Sequence, residues 1–267
     1  METLAATTRR SCMEHPRLSR FPELTDDIPY TDGTLGGTLR LMEQQQVDAA
    51  VMLSIATNPR QQHNVNSFAA QAQQSCPGKI YAFGSVYPTA GDALTELERI
   101  KALGLYGVKL HPEYQDFFLD DPKVWPVFEA CEALGLPVTL HMGYDVYSPN
   151  LVHATPKMAA AVHRCFPGLT MILAHMGGVF CYDEAMRYIA GEDVYLDTAY
   201  TFGAMDPEQF LQLVKAHGAD RILFASDTPW QCPNNSVRLI ESLGNRLTLE
   251  EKEKIYHLNG ERLLKRL

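Results

Sequence analysis

The ten residues LTMILAHMGG (169–178) decide how the chain reads. A run of apolar side chains long enough for one buried strand ends in a histidine, and two glycines then let the backbone turn sharply. The same grammar recurs in LPVTLHMGY (136–144), ending on His141, in LYGVKLHP (105–112), ending on His111, and in DRILFASD (220–227), ending on Asp227. Further runs without such an ending are VDAAVMLSI (47–55), KIYAFGSVYP (79–88) and DVYLDTA (193–199). All are near-continuously apolar rather than alternating, the mark of strands covered on both faces in a parallel sheet.

Helical segments fill the intervals. TAGDALTELERIKALG repeats Leu94, Leu97, Ile100 and Leu103, and Gly104 can end that helix. Asp121–Pro122, Thr155–Pro156 and Asp206–Pro207 each offer an N-cap followed by proline at the first helical position, and Thr248 and Glu251 stand at capping-box spacing. Strand alternating with helix predicts a (β/α)8 barrel or a doubly wound sheet; polar residues gathered at strand C-terminal ends favour the barrel. An eighth strand is needed and should come first. The opening residues 1–27 are polar and proline-broken, so the first strand reads as missing or replaced, and residues 1–267 read as one domain.

The bulk numbers exclude several classes. The chain of 267 residues carries 23 basic and 32 acidic side chains, a formal charge of −9, which disfavours nucleic acid or an anionic membrane as partner. No apolar run approaches the ~18 residues that span a bilayer. The six cysteines form no CxxC pair and read as reduced thiols, which suits a cytoplasmic protein with a small-molecule substrate.

A barrel brings strand ends into one ring, so His141, His175 and Asp227 are expected to converge. Singly, each also reads as a hydrogen-bonded or helix-capping residue. Together, two imidazoles and a carboxylate suit Zn²⁺ or a similar divalent ion, or one histidine acts as general base. Lys109 and His111 are two apart on one strand and share a face. A lysine inside a barrel needs an anionic partner: Asp227, Glu113 or a substrate carboxylate. Asp145, Tyr147 and His153 lie on GYDVYSPNLVHATP (143–156), a loop over the mouth.

With these residues in view, the chain resembles the amidohydrolase-related family of metal-dependent TIM-barrel hydrolases, a branch that also includes aminocarboxymuconate semialdehyde decarboxylase and its relatives. GVKLHPEYQ, LPVTLHMGY, PGLTMILAHMGG, VYLDTA and ADRILFASDTPW carry the resemblance, in family order. It implies that His141 is the fifth-strand metal ligand. It implies that Asp227 is the eighth-strand aspartate, binding metal or taking a proton from an attacking water, and that His175 is a base or further ligand. Lys109, His111 and Trp230 would line the substrate side. The expected activity is hydrolysis of a small carbonyl or carboxylate substrate by a metal-activated water, with non-oxidative decarboxylation as the alternative. The family's first strand ends in His-x-His, and none occurs in this chain. A third reading is therefore a degenerate, non-catalytic barrel, with weak metal binding and an exposed edge favouring a homo-oligomer.

Overall fold

A computed structural model of the chain describes residues 29–145 and 150–265. The atypical segment 1–27 and Tyr147 lie outside the described residues. The order begins with α1 (Leu35–Gln44), β1 (Ala50–Leu53), α2 (Gln62–Ser75), β2 (Ile80–Phe83), α3 (Ala93–Ala102) and β3 (Val108–Leu110). It continues with α4 (Pro112–Gln115), α5 (Trp125–Leu134), β4 (Val138–Leu140), α6 (Pro156–Cys165), β5 (Met171–Leu173), α7 (Tyr182–Tyr188) and β6 (Tyr195–Asp197). Then come α8 (Pro207–His217), β7 (Ile222–Leu223), α9 (Pro233–Ser242), α10 (Leu249–Glu253) and α11 (Asn259–Lys265).

Every strand pairing is parallel. β1 lies beside β2, and β3 to β7 follow one another in chain order; a Gly84–Val108 bridge joins the two groups. A doubly wound sheet reverses its strand order at a switch point. This one never reverses, so the fold is the α/β barrel. Its seven strands occupy the second to eighth positions of a (β/α)8 barrel, so β4, β5 and β7 are the fifth, sixth and eighth barrel strands. Among the described residues no strand lies between β7 and β1. On β1, Val51 and Leu53, which alternate with the packed Met52, are 44% and 36% exposed.

The strands alternate between two environments. Val108, Leu110, Val138, Leu140, Met171 and Leu173 join the helix-side core, while Phe83, Ile172 and Leu263 form a second cluster with Tyr195 and Leu223 against it. Lys109 and Thr139 stand in register with Ile172, which places Lys109 on the inner side.

The helix starts follow the capping chemistry with one exception. Thr155 accepts from Met158 N, Asp206 from Glu208 N, and Thr248 with Glu251 makes a full capping box. Asp121 instead closes a turn, its carboxylate accepting from Lys123 N, and α5 begins later at Trp125. Leu94 also departs from expectation: it is exposed, and Ala93, Glu96, Leu97 and Ile100 form the buried face of α3.

Candidate active site

The C-terminal ends of the strands place the polar residues at one mouth. His111 follows β3, His141 follows β4, His175 follows β5, Asp197 ends β6, and Asp227 comes four residues after β7. His111, His141 and His175 are all buried. The rings of His111 and His141 stack with centroids 4.0 Å apart, and Tyr114 stacks on the far face of His111 at 3.7 Å.

Hydrogen bonds fix how the protons are distributed along this row. His175 Nδ1 lies 3.0 Å from the Ala199 carbonyl, which can only accept, so Nδ1 carries a proton. With Nδ1 carrying the ring proton, Nε2 of His175 is the acceptor, and its partner 3.1 Å away, His141 Nδ1, is the donor. This leaves His141 Nε2 as a lone pair. It is buried and has no hydrogen-bond partner among the described residues, an arrangement costly enough to call for a ligand.

Asp145 faces that lone pair. Its Oδ2 lies 3.9 Å from His141 Nε2 and 3.8 Å from His111 Nε2. One ligand atom from each of His111, His141 and Asp145 falls within 4.8 Å of the others. His111 Nδ1 accepts from Tyr114 N at 3.4 Å, so its Nε2 becomes a ligand only by exchanging that long bond for the other tautomer. With that exchange, two imidazoles and a carboxylate with open positions fit a catalytic divalent ion. The tautomer set by Ala199 and His175 presents His141 in the form a metal needs.

His175 and Asp227 are placed differently. Both ring nitrogens of His175 already have protein partners, and its backbone holds φ +60°, pinned by Asp197 Oδ1, which accepts from His175 N at 2.9 Å and Ala199 N at 3.0 Å. Asp227 is half-buried with φ +68°, and its carbonyl accepts from Trp230 N at 2.9 Å in a turn. It does not cap α9, which starts at Pro233. Trp230 is half-buried in that turn.

Lys109 has its anions. It is buried; burial lowers its pKa, and Asp197 and Asp227 oppose that shift. Burial likewise raises Asp197, against His175 and Lys109. Burial, then Lys109 and His175, hold His111 well below the ordinary histidine range; burial, then His111, His175 and Lys109, do the same for His141. His111 and His141 are therefore neutral at physiological pH. Glu113, a possible partner of Lys109 by sequence, is turned away: its carboxylate binds His153, which is buried rather than lining the mouth.

Two residues escaped the sequence reading of the site or were left as loop, and the partner of a third, Glu113, was misassigned. Asp197 is the last residue of β6, two residues inside the end of the run DVYLDTA, where its strand-end position does not show in the sequence. Asp145 gives no signal either, since it sits past the strand end and is turned back by a Gly143–Val179 bridge. A Cβ on Gly143, at φ +87°, would stand 2.3 Å from Val179 N. Glu113 is likewise placed only by its tertiary partner.

A family model described as Amidohydrolase matches residues 20–266. Among curated proteins, the chain is 24% identical to a gamma-resorcylate decarboxylase of Polaromonas sp., over 85% of this chain and 86% of the relative. It is 31% identical to a 2-amino-3-carboxymuconate-6-semialdehyde decarboxylase of Dictyostelium discoideum, over 43% of this chain and 37% of that one. Among solved structures it is similar to a dihydroxybenzoic acid decarboxylase from Polaromonas sp. JS666 with bound manganese and the inhibitor 2-nitroresorcinol. That likeness has TM-score 0.71 and 20% identity, and covers 98% of this chain and 94% of the other. These relatives break carbon–carbon bonds, which corrects the expectation of a hydrolase. The reason it misled is chemical: imidazoles and carboxylates at strand ends polarise a substrate and move a proton whichever bond is cut. The residues alone do not name the bond.

Proposed function

The chain belongs to the amidohydrolase family, and from that premise we propose that it is a divalent-metal-dependent, non-oxidative decarboxylase of small aromatic carboxylates. The observation that carries this reading is the buried Lys109, a cation beside a metal-capable group of two histidines and an aspartate. Such a pairing suits an anionic substrate better than a neutral ester or amide. The proposed ligands are His141, His111 and Asp145. Manganese, held by the Polaromonas relative, is the ion we assign ahead of the zinc expected from sequence. When bound, it supplies a Lewis-acid contact to substrate oxygens.

The rest falls to the chain's own groups. Lys109 meets the substrate carboxylate while Asp197 keeps it charged. Asp227, in its protonated form, gives its proton to the ring carbon that bears the carboxylate. The carbon–carbon bond then breaks, its electron pair returns to the ring, carbon dioxide leaves, and solvent reprotonates Asp227. His175 orients His141 through their shared hydrogen bond.

The test is incubation of manganese-loaded protein with hydroxybenzoates in D₂O, beside a panel of esters and amides. Carbon dioxide release with deuterium at the vacated ring position is expected. Hydrolysis of the esters or amides without carbon dioxide would overturn the reading, and no turnover of either panel with manganese or zinc would favour a non-catalytic barrel.

A further inference from the structure

Glu113 has a fully buried carboxylate that spends both oxygens on one residue. Oε1 accepts from His153 N at 2.7 Å and Oε2 from His153 Nδ1–H at 2.5 Å. Taking a carboxylate out of water for one imidazole contributes little to stability compared with an apolar pair of the same volume. What the pair does provide is a fixed distance between two segments.

Those two segments carry proposed metal ligands. Glu113 lies two residues after His111, on α4, the four-residue helix that His111 itself caps by accepting from Tyr114 N. On the other side, His153 O accepts from Leu119 N at 2.9 Å and the next carbonyl, Ala154 O, accepts from Gly143 N at 2.8 Å. Gly143 is two residues before Asp145, and Tyr144 N and Val179 N continue the pairing between this strand extension and residue 179. A continuous hydrogen-bonded path thus runs from the His111 turn through Glu113, His153 and Ala154 to the stretch that presents Asp145. The 3.8 Å between His111 Nε2 and Asp145 Oδ2 is the gap this path spans.

We infer that Glu113 and His153 are a positioning pair that sets the His111–Asp145 separation and so tunes metal affinity. The inference rests on the proposed His111, His141 and Asp145 ligand set. Neither residue touches the ion; each acts through the backbone of a ligand-bearing turn, as outer partners of metal ligands commonly do at 10–100-fold in affinity.

The test measures Mn²⁺ affinity by the EPR signal of free ion, and the visible absorption of Co²⁺ added to the metal-free protein. Wild type is compared with Glu113→Ala, His153→Ala, the conservative Glu113→Gln, and Asn66→Ala. Asn66 makes an equally buried bond to Glu96 far along the chain, and so reports simple destabilisation. Glu113→Ala and His153→Ala are expected to weaken Mn²⁺ at least tenfold and to change the Co²⁺ spectrum. Glu113→Gln, which keeps one acceptor, should recover most of that affinity, and Asn66→Ala should lower the melting temperature without altering either metal readout. Wild-type affinity and an unchanged Co²⁺ spectrum in Glu113→Ala, or in His153→Ala where the first fails to fold, would overturn the inference. Absence of Mn²⁺ and Co²⁺ binding in wild type, or binding undiminished by His141→Ala, would instead overturn the ligand set itself.

Discussion

His141 donates from Nδ1 to Nε2 of His175 across 3.1 Å, and this one bond decides which lone pair of His141 faces the mouth. Removing the acceptor frees the ring to turn or to change tautomer. His175→Ala is therefore expected to weaken Mn²⁺ binding by about 10–100-fold, measured as free ion by EPR, although both ring nitrogens of His175 are engaged by protein atoms. Unchanged affinity would mean that His141 is held by packing alone.

Lys109, on the inner side of the strands, is within electrostatic reach of Asp197 and Asp227. Lys109→Met removes a positive charge that opposes the upward shift of buried Asp197, so stability in urea unfolding is expected to fall. Adding Asp197→Asn removes the stranded charge, so the double variant should be more stable than the single one. Strict additivity of the two substitutions would show that they do not share one electrostatic environment.

Gly143 stands where no side chain fits. With φ +87° and a would-be Cβ 2.3 Å from Val179 N, Gly143→Ala must break the bridge that turns the chain toward Asp145. A loss of roughly 3 kcal/mol is expected by chemical denaturation, with a fall in Mn²⁺ affinity beyond that of an equally destabilised Asn66→Ala protein.

Acid should destabilise the metal-free protein. Burial holds His111, His141 and His217 below their ordinary value of 6.5. Below that pH the unfolded chain takes up protons that the folded chain refuses, so stability falls as pH drops, by up to about 1.4 kcal/mol per unit for each histidine. Asp197, shifted upward, works in the opposite sense nearer its own ordinary value of 3.8. Unfolding in chelator at pH 7.5, 6 and 5 checks this. A flat profile between 7.5 and 5 would mean that the three rings accept protons in the folded state.

Much of this molecule is legible in sequence because its strands are short, apolar and punctuated. Most have a polar residue or glycine at or just after their C-terminal end, and Thr155, Asp206 and Thr248 announce the helices that follow. The row His111, His141, His175 could be read for the same reason: residues at strand ends are brought together by topology whatever the loops do. Asp145 could not be ranked above Tyr147 or His153, because its place depends on a backbone bridge between residues 143 and 179 that no local pattern encodes. The false cap at Asp121 has a similar origin. Asp–Pro suits a tight turn as well as a helix start, and the chain took the turn. The missed Glu113–His153 pair joins positions 40 apart, and nothing in HPEYQ or LVHAT alone signals the partner.

The electrostatic coupling of Lys109 to Asp197 and Asp227 also bears on how the proposed reaction would end. A substrate carboxylate competes for a cation that two aspartates already share, and it does so only while it remains an anion. Once carbon dioxide has gone, the aromatic left behind has no carboxylate to offer, and the lysine reverts to its two residents. For the proposed reaction the expected outcome is fast product release and weak product inhibition, checked by steady-state rates with the decarboxylated aromatic added.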